Sequence, residues 1–161
     1  MALKINRKAP GFRLQDSFGR EFSLEEETGP EGMLLLFYPK AFSPGCTRQV
    51  CGFSDEYSYF SEKGIRIVAI SHDRPETLAR FRERYALPFT LLSDPQRVVC
   101  RMYDAVYPFG LLTRRISYLL NAEGNIVHVF DNLLNHSAHL EEIRNFLEKE
   151  SLRQIPYSAN E

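Results

Sequence analysis

Cys46 and Cys51 stand five residues apart in the run Pro39-Lys40-Ala41-Phe42-Ser43-Pro44-Gly45-Cys46-Thr47-Arg48-Gln49-Val50-Cys51. The apolar stretch Met33 to Tyr38 precedes it, so the run reads as the end of a buried strand, a proline turn and the start of a helix. A thiol attacks only as thiolate, and a free cysteine has a pKa of about 8.5. Three features favour the anion at Cys46. It falls in the first helical turn, where unpaired N–H groups and the macrodipole attract negative charge. The Ser43 hydroxyl can orient a thiolate or a bound oxygen. A cation from elsewhere can complete the site, and Arg114 and Arg115, beside the apolar stretch Ile116 to Leu120, are the candidates. Strand alternation puts Arg115, Ser117 and Leu119 on one face and Arg114, Ile116, Tyr118 and Leu120 on the other. Only one of the two arginines can face the site, and periodicity does not choose between them. Strand, turn, hydroxyl, thiol and helix together read as a redox-active nucleophile.

The spacing of the two thiols carries its own constraint. On an intact helix, residues five apart have Cα atoms separated by roughly 8.6 Å and point about 140° apart. A disulfide needs Cα atoms closer than about 7 Å. Cys46 and Cys51 therefore cannot bond while both remain helical, and a bond between them requires the first turns to unwind. Taken alone, Cys51 also reads as an inert buried thiol, and Cys100, on the apolar face of a short helix, reads as core packing. His72, His128, His136 and His139 are scattered, and the sequence has no Cys-x-x-Cys pair, so no metal site is expected. Lys40 and Arg48 read as solvated charges, Asp73-Arg74-Pro75-Glu76 as a helix start, and His136 and His139 as an exposed first turn.

The elements that must position these residues follow from periodicity. Phe12 to Gln15 and Glu21 to Leu24 flank a turn signal and form a hairpin. Met33 to Tyr38 and Ile65 to Ile70 are continuously apolar strands, buried on both faces. Helices are expected from about Pro44 to Phe60, from Pro75 to Tyr85, from Asp94 through about Tyr103 with Val98, Val99 and Met102 on one side, and from His136 to Glu150 with Leu140, Ile143 and Leu147 as an apolar stripe. Phe89 to Leu92 is a short strand, and Ile116 to Leu120 and Ile126 to Phe130 form a late hairpin. Buried strands joined through helices imply parallel pairing with right-handed crossovers. The expected fold is α/β: a mixed central sheet with helices on both faces and an N-terminal β-hairpin, the thioredoxin-like architecture.

The chain of 161 residues, 43% hydrophobic, suits one domain over residues 1–161, with a loose tail at about 152–161. A net charge of −1 gives no reason to expect nucleic-acid or membrane-surface binding. No apolar run approaches the roughly 20 residues that span a bilayer. The first eleven residues lack an apolar signal core, so a cytoplasmic location is expected. Three cysteines at these spacings are not the pattern of a stapled secreted domain. In a reducing compartment they point to catalysis or metal binding.

The pattern Pro39-x-x-x-Ser43-x-x-Cys46 resembles the peroxiredoxin active-site signature, with serine where threonine is commoner. Phe37-Tyr38 before it and Gly52-Phe53-Ser54-Asp55 after it make the run similar to the peroxiredoxin Q subfamily, also called bacterioferritin comigratory protein. Leu91-Leu92-Ser93-Asp94, Arg115 to Leu120 and Val127 to Asp131 extend the resemblance over nearly the whole chain. The segment Tyr103 to Leu112 looks shorter than in many relatives. The resemblance implies an antioxidant thiol peroxidase acting on hydrogen peroxide and organic (alkyl) hydroperoxides, with no cofactor. It makes Cys46 the attacking thiol, oxidised to a sulfenic acid, Pro39 its shield from water and Ser43 a hydrogen-bond partner of the peroxide. It selects Arg115 over Arg114 as the stabilising cation. It makes Cys51 the resolving thiol, forming an intramolecular disulfide that thioredoxin or a similar dithiol protein reduces. The expected assembly is a monomer or weak homodimer. Three alternatives remain at this level: a one-cysteine peroxidase with Cys51 idle, a peroxide sensor that passes oxidation to a partner, and a noncatalytic thioredoxin-like module.

Overall fold

The computed structural model describes residues 2–27, 31–108, 110, 112–131 and 136–149. The expected tail at 152–161 lies outside them. Among the described residues, seven strands form one sheet in the order β2-β1-β5-β4-β3-β6-β7. The strands are β1 (Arg13–Asp16), β2 (Glu21–Ser23), β3 (Gly32–Phe37), β4 (Ile65–Ser71), β5 (Thr90–Ser93), β6 (Ile116–Asn121) and β7 (Ile126–Asp131). The central trio β3, β4 and β5 is parallel, as continuously apolar strands joined by helices require. The β6–β7 hairpin adds antiparallel to β3, and the β1–β2 hairpin adds antiparallel to β5. The sheet is thus mixed, with the N-terminal hairpin at one edge.

Two cores lie on its two faces. One packs α1 (Pro44–Asp55), α2 (Tyr57–Glu62), α3 (Pro75–Tyr85) and α5 (His136–Lys149) against Leu34, Leu36, Ile67, Ala69 and Leu119. The other packs α4 (Val98–Met102) and the N-terminal segment against Met33, Leu35, Phe37, Val68 and Tyr118. Among the described residues, four α-helices cover one face and one covers the other. Odd and even residues of β3 divide between the two cores, as strand alternation demands.

Three details differ from the reading of the sequence. The single helix expected over Pro44 to Phe60 is two helices, broken at Glu56, whose backbone leaves helical geometry (φ −101°, ψ 14°). The Glu56 carboxylate there is held by Arg144 of α5. Next, α4 starts at Val98 rather than Asp94, because the buried Asp94 carboxylate accepts from the N–H groups of Val98 (3.1 Å) and Cys100 (2.8 Å) and caps the helix from outside. That cap also turns Val99, Cys100 and Tyr103 inward, so Val98 and Met102 are exposed rather than packed. Finally, His139 is fully buried, not part of an exposed first turn. Leu140, Ile143 and Leu147 do form the inward stripe of α5.

Helix α3 ends on Ala86, which adopts a left-handed conformation (φ 50°) and is exposed. A Cβ is unfavourable there, whereas glycine is not. Replacing Ala86 with Gly is expected to stabilise the protein by about 0.5–1 kcal/mol, read as a higher urea midpoint at unchanged slope.

Candidate active site

The site forms where β3 stops. Tyr38 continues the strand for one residue, its N–H reaching Ile70 O at 3.1 Å, and the chain then turns through residues 39–43 into α1. Ser43 has extended backbone at the helix N-cap and Pro44 occupies the first turn, a position that tolerates its missing N–H. Cys46 follows two residues later. The N–H groups of Gly45 and Cys46 belong to the set that has no acceptor within a helix, so they point out of the N-terminus beside the sulfur. The inward residues of α1 are Cys46, Gln49, Val50 and Phe53, the i, i+3, i+4, i+7 stripe. Val50 and Phe53 anchor it in the core, and Cys46, only 1% exposed, is held at the stripe's leading end.

Strand β6 lies next to β3, and Arg115 immediately precedes it. Arg115 is buried, at 8% residue exposure, and its Nη2 donates to Cys46 Sγ at 3.6 Å. Its Nη1 donates to Gln49 Oε1. Arg114 goes the other way, donating to Asp104 O at 2.9 Å and pairing with Asp131. The face that alternation left open is therefore the face of Arg115, Ser117 and Leu119. Gln49, absent from the sequence-based site, is the residue that aims the guanidinium. Its signal was available: it is the only polar side chain on the inward stripe of α1.

Ser43 and Pro39 belong to the loop between β3 and α1. The Ser43 hydroxyl donates to Lys40 O at 2.8 Å rather than capping α1. Pro39 is half-buried beside Tyr38, whose hydroxyl is fully buried within electrostatic reach of Ser71, Asp73 and Cys46 yet makes no hydrogen bond of good geometry. Burial above all pushes that phenol up, so it stays a neutral dipole. Lys40 and Arg48 are exposed.

Cys51 sits on α1 but off its inward stripe, half-buried and a free thiol like Cys46. Partial burial, then the Asp55 carboxylate, push its pKa up. The two thiols are thus unequal: one meets a guanidinium, the other a carboxylate. Cys100 is buried in the opposite core; burial and then Asp94 push its pKa up, which fits a packing role. Among the described residues, no cluster of three or more His, Cys, Asp or Glu could hold a metal ion. No helix of these residues is long and apolar enough to cross a membrane.

Helix α5 packs against α1. A Cβ on Gly52 would lie 3.4 Å from Leu140, so α1 and α5 approach closely just beyond Cys51. His139 Nε2 shares a 2.7 Å hydrogen bond with Ser117 Oγ, on the strand face of Arg115.

A fold of this topology, with a buried thiol at a helix start and an arginine on it, defines a class of thiol enzyme. The model of the AhpC/TSA family matches residues 5–129. Peroxiredoxin Bcp of Escherichia coli (strain K12) is 38% identical over 143 residues, covering 85% of this chain and 91% of that protein. Among solved structures, Peroxidoxin BcpB from Mycobacterium tuberculosis superposes with a TM-score of 0.82 at 27% identity, covering 96% of this chain and 99% of the other. The Xanthomonas campestris bacterioferritin comigratory protein, in a study of alkyl peroxide reduction, superposes with a TM-score of 0.78 at 25% identity, covering 86% and 90% of the two chains. The chain belongs to the AhpC/TSA family and is a peroxiredoxin, a thiol-dependent peroxidase.

His139 gives the site's surroundings a pH dependence. Burial, and secondarily Arg115, push its pKa down to about 4 from an ordinary 6.5. Between those values the unfolded chain binds more protons, so stability rises with pH across that window and is lost as pH falls through it. The loss amounts to at most about 3 kcal/mol. His139→Gln is expected to flatten the dependence of urea stability on pH between about 4 and 6.5, measured against the parent protein.

Proposed function

We propose that the peroxidase chemistry runs through Cys46 and is resolved by Cys51. The observation that carries this reading is the guanidinium of buried Arg115 on the Cys46 sulfur at 3.6 Å, at the open N-terminus of α1. The thiolate attacks the terminal oxygen of the hydroperoxide, an S–O bond forms and the O–O bond breaks. The departing alkoxide, or hydroxide for hydrogen peroxide, takes up a proton. Cys46 becomes a sulfenic acid. Charge on the breaking O–O bond is met by Arg115 and the first-turn N–H groups, donors already oriented before reaction. Ser43, its own proton engaged with Lys40 O, has lone pairs to accept the peroxide O–H. Pro39 excludes water from the thiol. Hydrogen peroxide and alkyl hydroperoxides are the substrates of this reading; the related X. campestris protein is described by its alkyl peroxide reduction.

Resolution demands movement. Cys51 must attack the sulfenic sulfur, forming the disulfide and releasing water, and helix geometry keeps the pair roughly 8.6 Å apart at Cα. The first turns of α1 unwind for this step. Unwinding also separates Cys51 from its cover and from the fixed neighbour Asp55, the two causes that hold it as a thiol. Cys51 is thus a poor nucleophile in the folded helix and a better one when the helix opens. Early capture of the sulfenic acid prevents irreversible overoxidation. A dithiol protein of the thioredoxin type, in a reducing cytoplasm, then exchanges with the exposed disulfide and restores both thiols.

Peroxide titration of the reduced protein followed by mass spectrometric mapping tests both assignments. A single intramolecular Cys46–Cys51 bond is expected. Cys46→Ser should abolish turnover with thioredoxin. Cys51→Ser should still form a sulfenic acid but lose thioredoxin-dependent turnover. Full activity of Cys46→Ser, or oxidation that leaves Cys51 reduced, would contradict the reading; the second result favours a one-cysteine peroxidase.

A further inference from the structure

Asp73 follows the end of β4 in what reads, from sequence, as a helix start. The structure uses it otherwise. Its side chain is buried, at 8% residue exposure, and Oδ2 accepts two hydrogen bonds, from the backbone N–H of Ala41 and from Ser71 Oγ, each at 2.7 Å. Its own backbone is tied on both sides: its N–H donates to Ser71 Oγ at 3.3 Å, and its carbonyl accepts from Ser93 Oγ of β5 at 2.6 Å. A buried carboxylate is costly unless hydrogen bonds compensate it. Here Ser71 of β4 and the Ala41 N–H supply that compensation, while β4 and β5 hold the Asp73 backbone so that its carboxylate meets the loop that leads into α1.

The held residue is well placed. Ala41 is buried in the same core cluster as Cys46 and lies two residues before Ser43. Between them, Phe42 adopts a left-handed conformation (φ 69°), which is rare for a bulky side chain and costs about 1–2 kcal/mol. The Phe42 ring packs edge-on against Phe81 of α3 at 5.0 Å between centroids. A loop in such a conformation persists only when its surroundings over-determine it. Asp73 on one side and Phe81 on the other do so.

We propose that Asp73 is a positioning residue of the peroxidase reaction: through the Ala41 N–H it fixes the loop 39–43, and thereby sets the Ser43 hydroxyl relative to Cys46. It touches neither the thiol nor the peroxide. The proposal rests on the assignment of Cys46 as the attacking thiol. A loop misplaced by about 1 Å can cost about 10²-fold in rate while leaving simple nucleophilicity alone.

The test compares two reactions of the same sulfur. Reduced Asp73→Ala should lose about 10- to 100-fold in the rate constant for Cys46 oxidation by hydrogen peroxide. Its alkylation by iodoacetamide, which needs the thiolate but not the loop's hydrogen bonds, should change less than about twofold. Asp73→Asn, whose amide oxygen can still accept from Ala41 N–H, should recover most of the peroxide rate. If the alanine variant does not fold, Ser71→Ala removes the other donor to Oδ2 and should lower the peroxide rate severalfold with alkylation unchanged. A peroxide rate within twofold of the parent in a folded Asp73→Ala or Ser71→Ala protein would overturn the proposal. So would an equal fall in both reactions, or an asparagine variant no better than alanine. Should mass spectrometry place the oxidation of the parent protein elsewhere than Cys46, the assignment beneath the proposal fails, which is a separate result.

Discussion

The guanidinium of Arg115 against the sulfur of Cys46 is the contact around which the surrounding structure is arranged. A buried guanidinium must be compensated, and Gln49 takes one of its donors while the sulfur takes another. Both acceptors lie on one stripe of α1, three residues apart, so the helix must present that stripe to β6. The strand order makes this possible. β6 pairs directly with β3, whose C-terminal end delivers the loop and the helix start to the same end of the sheet at which Arg115 precedes β6. Val50 and Phe53 behind them supply the apolar anchor that keeps the stripe in place.

A tension follows from the same arrangement. The helical geometry that holds Cys46 beside Arg115 also keeps Cys51 out of bonding range. Helix α1 therefore combines a firm core anchor with a start that has little holding it: no side-chain cap at Ser43, a proline in its first turn, and a glycine at 45. The break at Glu56 separates the changeable helix from α2, so unwinding at the start of α1 need not propagate into the rest of the layer. The close approach of α5 at Gly52 sets a boundary just beyond Cys51. Local opening of this kind costs less than global unfolding and exposes only a few turns.

Much of the fold and the centre of the site were legible in the sequence. Continuous apolar strands and period-3.6 stripes placed nearly every element, and the thiol at a helix start was visible from Pro44, Gly45 and the strand before them. Alternation reduced the arginines to one per face, but only pairing of β6 with β3 puts Arg115 on Cys46. Gln49 could have been found as a polar residue at i+3 from a buried thiol. Asp73 and His139 could not: each is defined by a partner 32 or 22 residues away, and their local sequence reads equally well as a helix start. The inward face of α4 was misjudged for a related reason, since the carboxylate of Asp94 rather than hydrophobic periodicity sets the helix's rotation.

On the proposed mechanism, α1 is ordered in the reduced protein and opens at its start when Cys46 and Cys51 bond. Hydrogen–deuterium exchange of the reduced and the peroxide-oxidised protein measures this directly. Amides in the first turns of α1, up to Cys51, should be protected in the reduced form and lose protection on oxidation, while those of β3 and β4 stay protected. Equal protection of α1 in both forms, with a Cys46–Cys51 disulfide present, would contradict the account.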